Sequence, residues 1–580
     1  VSYELLEGDC LEVLRTLPEA SFDGVLSDPP YGLGTREPTA RQLAAYILGE
    51  GGLDMGGDFM GKTWQIPPVA VWREVFRVLK PGAHLLVFAG TRTQDLISIG
   101  MRAAGFEIRD CIDWIYASGF PKSLDVSKAI DKAAGVERRV VSETVGRWKY
   151  ANNEKSGTAL GAESRDTDER GYLISRVTAP ATEEAARFAG YGTALKPARE
   201  PCILARKPLD GTVVQTVLEH GTGALAIDAC RIAGAGAGTN CTNRSADGRC
   251  LGHGNAGRST SGETFHGPDT APEGRWPANV VMSHDEGCRR VGTKRVSTGT
   301  AHRTNGGGRT FGGDEAKPAL ADMSYAGPDG KEQVEAWECV DDCPIAMLDA
   351  QSGDRPGMSG GGVHREGYGG GMFGGIDSAG TARGDSGGAS RFFFCAKASR
   401  FEREFGCEDL PALKADDLTN RDPDSAGNAS ARAGAGRGAG AARFRCASCG
   451  LHLGGGRAAT PCPDGAHTPE FIGIGPAVRN GHPTIKPIEL ARYLARLILP
   501  PGEGRRLLVP YAGVGSEMIG ALRAGWGHVV GIQRTADDDE RGYIRIAHAR
   551  LKRWAEVPAH VNPTECEVQE RRAEQGSLFG

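Results

Sequence analysis

The residues best suited to chemistry lie in the run Leu26-Ser27-Asp28-Pro29-Pro30-Tyr31-Gly32-Leu33-Gly34. Here an apolar strand breaks at once into an acid, two prolines and an aromatic ring. Adjacent prolines have no backbone donors and cannot extend a ladder, so the strand must end at Asp28. Asp28 and Tyr31 are thereby delivered to a strand's C-terminal edge, where open α/β sheets place their ligands. A carboxylate there can accept hydrogens from a reacting group, and an aromatic ring can stack on a planar one. A strand followed by an ordinary proline turn explains the run equally well, so the rest of the chain must decide.

Two other constellations could hold metal. His284-x3-Cys288 and Cys339-x3-Cys343 are close pairs separated by a glycine-rich excursion, as a tetrahedral structural zinc site requires, although x3 is looser than the finger standard. Cys446-x2-Cys449, followed by Cys462-x4-His467, resembles a zinc ribbon, with His452 able to replace His467. The competing accounts are four unrelated buried residues for the first set and surface cysteines for the second.

The elements that must position these residues follow in order. A strand over 2–9 ends at Gly8-Asp9, a helix covers 10–17, and a second strand over 24–27 delivers Asp28. Asp9 also sits at a strand end, where it could instead cap the following helix. Residues 35–68 read as an irregular loop. Within it, Gly56-Gly57-Asp58-Phe59-Met60-Gly61-Lys62-Thr63 matches the Walker A pattern, but no strand precedes it and Ile66-Pro67-Pro68 follows, so a phosphate-binding loop is rejected. Helix 69–79, strand 84–89, a helix to 104 and strand 106–115 alternate strictly, which predicts a doubly wound parallel sheet.

Beyond 115 the pattern changes. Residues 140–190 are polar and weakly helical, and an apolar strand returns at 200–208. Its Pro201-Cys202 could suggest a thiolate nucleophile, but no activating neighbour is evident, and the cysteine reads as structural. Strand 505–509 opens into Tyr511-Ala512-Gly513-Val514-Gly515-Ser516 before a helix to 523. A dinucleotide turn would need glycine where Met518 stands, so NAD is disfavoured.

At 580 residues the chain exceeds one ordinary domain. Glycine, at 85 residues, is about twice its usual share and is clustered, which points to long insertions in a folded enzyme. A net charge of −5 excludes a uniformly basic nucleic-acid coat, leaving DNA contact to local Lys/Arg patches. No stretch has the apolar length of a membrane span, and the first residues lack signal-peptide character. A soluble, cytoplasmic protein is expected, with reduced cysteines.

Asp28-Pro29-Pro30-Tyr31 resembles the catalytic motif of amino-group DNA methyltransferases. Gly481-His482-Pro483-Thr484-Ile485-Lys486-Pro487 matches their His-Pro-Thr-(Val/Ile)-Lys-Pro signature, and 511–516 resembles their cofactor turn. With the catalytic motif first and the cofactor turn last, the order resembles the beta class, a circularly permuted, Rossmann-like α/β fold of phage and bacterial enzymes. The likeness covers about 1–230, 391–400 and 479–555. It also takes in Asp113-Trp114-Ile115-Tyr116, which looks like a wall of the target-base pocket, although Trp114 could be plain core.

The resemblance implies that Asp28 and the Pro29 carbonyl accept the two hydrogens of an exocyclic amine. Pro30 completes the turn, and Tyr31 stacks on a base flipped from the duplex. It further implies S-adenosylmethionine bound by Asp9, Tyr511, Gly513, Gly515, Ser516 and Gln533, with Thr484 and Lys486 at its methionine end. Gln533 departs from the usual acid on the ribose, as Val509 and Tyr511 depart from the usual acid and Phe. The expected organisation is 1–230 as the first half of the catalytic domain, 231–390 as a target-recognition insertion and 391–400 as a returning strand. A glycine-rich linker with the ribbon-like module follows at 401–478, and the cofactor half at 479–580.

The implied activity is site-specific methylation of double-stranded DNA, with adenine N6 preferred because an aspartate heads the motif. Cytosine N4 is the alternative. A second copy of the chain and a cognate restriction enzyme are candidate partners, and zinc is the candidate metal. A DNA-binding protein that has lost catalysis, and a methylase of RNA or protein glutamine, are the rivals.

Overall fold

The computed structural model describes residues 2–34, 36–56, 65–116, 123–149, 172–232, 275–285, 288–297, 300–301, 323–324, 331–340, 343–353, 388–397, 400–411, 442–446, 469–474, 479–480, 482, 485–534 and 542–558. Its strands are β1 (Ser2–Glu7), β2 (Phe22–Ser27), β3 (Leu79–Phe88), β4 (Glu107–Ile115), β5 (Val140–Lys149), β6 (Tyr172–Thr178), β7 (Arg199–Arg206), β8 (Val280–His284), β9 (Arg289–Ser297), β10 (Thr300–Ala301), β11 (Met323–Ser324), β12 (Lys331–Glu338), β13 (Phe394–Lys397), β14 (Ala442–Cys446), β15 (Pro469–Ile474), β16 (Arg506–Pro510) and β17 (His528–Gln533). Nine of them form one sheet in the order β1-β17-β16-β2-β3-β7-β4-β8-β13. Neighbours run parallel except β7, which is antiparallel to both β3 and β4. The expected α/β class holds, with a mixed rather than purely parallel sheet.

Strand order follows from two-sided burial. Val25, Leu85, Leu508 and Val530 enter one apolar core, whereas their neighbours Leu26, Leu86, Leu507 and Val529 enter the other. Successive side chains of a strand point to opposite faces, so these central strands are apolar throughout because helices cover both sides. Helices Cys10–Thr16, Val69–Val78 and Gln94–Ala103 cover the first face. Helices Ile488–Leu497, Ser516–Ala524 and Tyr543–Ala555 cover the second. Two of the latter approach closely at Gly520, where an added Cβ would lie 2.5 Å from Ala491 Cβ.

Connections leave β16 toward β17 and leave β2 toward β3, in opposite directions along the sheet. The crevice between β16 and β2 is therefore the topological switch point, where such sheets bind ligands.

Three stretches depart from the sequence reading. The 35–68 loop contains a helix, Ala40–Leu48, closed by a Thr39/Gln42 capping box and anchored by buried Tyr46. Residues 57–63 of the Walker-like run lie outside the described residues. The polar 140–190 stretch is an antiparallel β5–β6 pair followed by a short helix, Glu183–Arg187, rather than weak helix. The third is in 231–390, read as insertion, which contributes β8 to the main sheet beside β4. The returning strand expected near 391–400 is β13, at the sheet's edge.

Candidate active site

Because β2 and β16 are parallel neighbours, the chain segments leaving their C-terminal ends meet. Ser27 Oγ donates to the Pro510 carbonyl at 2.8 Å in the interior, joining positions 483 apart in sequence. Asp28 and the glycine turn are thus brought to one crevice.

A compact polar network fills it. The Tyr31 hydroxyl donates to Asp28 Oδ1 at 2.6 Å and lies 3.2 Å from Glu200 Oε2. Lys486 Nζ donates to Asp28 Oδ2 at 2.7 Å and sits 3.1 Å from both the Tyr31 oxygen and Glu200 Oε2. The Lys486 side chain is only 4% exposed. Burial alone would drive off its proton, but Asp28 and Glu200 reverse that and hold its pKa above the usual lysine range. Burial, then Asp28 and Glu200, push the Tyr31 phenol well upward, so it stays protonated and donates. Thr93 Oγ1 fixes the motif's backbone by donating to the Tyr31 carbonyl at 2.6 Å. Pro29 is buried and Pro30 half-buried in the same turn.

Aromatic rings wall this network. Lys486 Nζ lies 5.4 Å from the Tyr31 ring centroid, 4.9 Å from Phe88 and 5.9 Å from Trp114. Trp114 packs edge-on to Phe88 at 6.4 Å and against Tyr116 at 5.1 Å. Its indole Nε1 donates to Ser283 Oγ of β8 at 2.7 Å.

The glycine turn forms the opposite side. Gly513 (φ 54°) and Gly515 (φ 83°) take the left-handed conformation that side chains disfavour. An added Cβ on Gly513 would lie 3.5 Å from His482 Nε2. That residue is half-buried, its enclosed Nδ1 has no hydrogen-bond partner among the described residues, and desolvation, partly opposed by Asp28, lowers its pKa to about 3. Glu517, also buried, is raised to about 7 by burial and then by Asp28, against Lys486.

The remaining expected cofactor residues are already engaged within the protein. Gln533 Oε1 accepts from the Gly513 amide at 2.7 Å, bracing the turn from the end of β17. Tyr511 (φ 61°) is half-buried beside Cys10, and Asp9 caps the Cys10–Thr16 helix through the Leu11 amide at 3.0 Å. Ser516 Oγ accepts from the fully buried Arg550 at 3.0 Å, and Arg550 also donates to the Val514 and Glu402 carbonyls. Thr484 lies outside the described residues.

Sequence reasoning missed Glu200, His482 and Glu517 as members of the site. Each adjoined a residue that was weighed: Glu200 precedes Pro201-Cys202, Glu517 follows Ser516, and His482 lies within the Lys486 signature. Cys202 is 1% exposed in β7, and burial pushes its thiol far up, as suits a structural cysteine.

The first metal constellation comes together at the far side of the sheet. Ligand atoms of His284, Cys288, Cys339 and Cys343 all lie within 4.8 Å of one another. Cys339 and Cys343 Sγ are 3.5 and 3.6 Å from His284 Nδ1. Tetrahedral zinc with its ordinary bonds to sulfur and nitrogen requires an S···N edge of about 3.6 Å, so the donors fit that ion in type and spacing. Each x3 pair closes a turn, Cys288 N–H to Asp285 O and Cys343 N–H to Val340 O, both at 3.0 Å. Burial raises the Cys288 and Cys339 thiols, a cost that a dication offsets by binding thiolates. Of the second constellation, Cys449, Cys462, His467 and the Cys446 side chain lie outside the described residues.

No family model matches the chain. The Escherichia coli (strain K12) protein named "Putative methylase YubD" is 31% identical over 103 residues, which is 18% of this chain and 38% of that protein's own length. Among solved structures, "PVUII DNA METHYLTRANSFERASE (CYTOSINE-N4-SPECIFIC)" is 8% identical, with a TM-score of 0.32 and coverage of 97% of this chain and 90% of that one. TTHA0409 of Thermus thermophilus, "Putative DNA Modification Methylase" complexed with S-adenosyl-L-methionine, is 12% identical, with a TM-score of 0.26 and coverage of 96% and 97%. M1.HpyAVI is 7% identical, with a TM-score of 0.27 and coverage of 95% and 98%. At such scores the likeness decides nothing beyond what the strand order gives. Among the described residues, no helix is long and apolar enough to cross a membrane.

Proposed function

We propose that the chain is a DNA methyltransferase of the permuted beta class, acting on an exocyclic amine of a flipped base in double-stranded DNA, adenine N6 in preference to cytosine N4. The observation that carries this reading is the Asp28–Tyr31–Lys486 network at the switch point, beside the Gly513 turn. S-adenosylmethionine supplies the methyl group when bound. Three acids, Asp28, Glu200 and Glu517, gather around one ammonium, Lys486, an excess of acidic groups that suits a cationic sulfonium. The left-handed Gly513 and Gly515 let the backbone approach a ligand closely, with Gln533 bracing the turn and Asp9, Tyr511, Ser516 and Thr484 around it.

Asp28 and the Pro29 carbonyl hold the two amine hydrogens and keep the nitrogen lone pair available, and Asp28 is the nearest acceptor for the proton released. Tyr31 stacks on the extruded base, and Phe88 and Trp114 exclude water behind it. Zinc is assigned to His284, Cys288, Cys339 and Cys343, with Cys446, Cys449, Cys462 and His467 as a second candidate set.

The decisive experiment offers labelled S-adenosylmethionine with duplex DNA, RNA and protein, and then identifies the methylated base. Asp28→Ala is expected to lower kcat at least about a thousandfold with cooperative unfolding retained. Retained activity would remove Asp28 from the chemistry, and N4-methylcytosine as the product would replace adenine as the target.

A further inference from the structure

We propose that the metal held by His284, Cys288, Cys339 and Cys343 positions the base pocket, fixing the end of β8 so that Ser283 keeps Trp114 in place as a pocket wall. The inference rests on the zinc and methyltransferase readings above and adds a physical link between them.

Ser283 and His284 are consecutive on β8, so their side chains leave opposite faces of the strand. His284 turns to the thiol cluster, while the buried Ser283 hydroxyl accepts the Trp114 indole N–H at 2.7 Å. Trp114 in turn packs on Phe88 and Tyr116 and lies 5.9 Å from the ammonium of Lys486. A contiguous chain of contacts thus joins the ligand set to Asp28.

β8 is anchored at its start, where Val280, Val281 and Met282 pair with β4 and Val281 enters the central core. At Ser283 and His284 its only strand partner is β13, a four-residue strand at the sheet's edge. The apolar cluster beneath its end contains four buried residues, Met282, Cys288, Cys343 and Ile345, of which two are ligands. A core that small stabilises little, and a metal is the usual remedy. The ligands also come from the right places. Cys288 immediately precedes β9, Cys339 immediately follows β12, and Cys343 caps the Pro344–Ser352 helix. One ion therefore ties the antiparallel β9–β12 pair, that helix and β8 together, with the Trp337 ring stacked 3.9 Å from His284. Asp28, Tyr31 and Lys486 are held by β2, β7 and the central helices, so loss of the ion should loosen the pocket wall without dispersing the catalytic groups.

The test uses the full chain. Zinc content is measured by atomic spectroscopy in the wild type and in Cys288→Ser and Cys343→Ser, with a loss of one zinc per chain expected in each. An unchanged content overturns the site. Hydrogen exchange of the unsubstituted protein, before and after chelation, is expected to lose protection at least about tenfold at 113–115 and 280–284 while 22–27 stays protected. Equal protection overturns the clamp.

Ser283→Ala, which touches no ligand, should keep its zinc and raise KM for duplex DNA about fivefold with kcat within about twofold, the scale of one hydrogen bond. Ser283→Thr should restore it, and an unchanged KM overturns the link to the pocket. Failure of the wild type to methylate DNA would count against the methyltransferase reading alone, because zinc content and exchange still decide the clamp.

Discussion

The centre of the sheet and its far edge solve the same problem with different materials. At the centre, β2 and β16 are buried on both faces, and the apolar residues around them are abundant enough to hold a lysine at 4% exposure among carboxylates. At the edge, the cluster beneath the end of β8 has only four buried residues, and there the chain gathers three cysteines and a histidine. Burial can organise charges only where enough of it is present; where it is thin, covalent-like ligation substitutes. The centre should therefore respond most to loss of a charge and the edge to loss of a ligand.

The largest expected effect tests the centre directly. Lys486→Met leaves Asp28 and Glu200 facing each other without their shared ammonium, and should destabilise the protein by about 3–5 kcal/mol in denaturant unfolding. A cost below about 1 kcal/mol would mean that solvent already screens the network, and the contrast with the edge would fail.

Next comes pH. Glu517 is raised by burial from the ordinary carboxylate value of 4.5 to about 7, so the folded state holds its proton more tightly than the unfolded chain. Stability should be full below the unfolded value and fall as pH rises toward 7. Glu517→Gln should match the wild type below pH 4.5 and exceed it by roughly 3 kcal/mol above pH 7. Parallel pH–stability curves for the two proteins would show that Glu517 is not held by burial.

Smaller effects refine the picture of packing. Gly520→Ala would put a methyl 2.5 Å from Ala491 Cβ and 2.7 Å from its carbonyl carbon, forcing two central helices apart at a cost of about 1–3 kcal/mol. Differential scanning calorimetry would register this as a lower Tm, and an unchanged Tm would mean that the central packing yields easily. Smallest is Gln533→Ala, which removes the acceptor for the Gly513 amide and should weaken S-adenosylmethionine binding about fivefold by calorimetry.

Much of this was legible in the sequence. Apolar runs with turn signals gave β2, β3, β4, β7 and β16, and proline punctuation located Asp28 to the residue. The spacing of His284, Cys288, Cys339 and Cys343 marked four candidate ligands whose donor atoms the fold brings within 4.8 Å of one another. What remained hidden depends on neighbours distant in the chain. Nothing local marks Glu200 as the partner of Lys486, because the pairing exists only once β7 inserts antiparallel between β3 and β4. β8 was obscured because glycine-rich sequence surrounds a strand of only five residues. The β5–β6 pair was missed because its polar alternation lacks the apolar face on which period reading depends. Gln533, expected on a ribose, also braces a turn, a role that no single position announces.

One feature of the resting site reaches beyond structure. Both oxygens of Asp28 are already occupied, one by a phenol and one by an ammonium. On the proposed function, an arriving amine would trade places with an incumbent, and the tally of polar contacts would hardly change. Recognition of the base would then draw its net gain from ring against ring, which every nucleobase offers, and selectivity from which visitor can dislodge the incumbent. Such a pocket would greet many bases and commit to few.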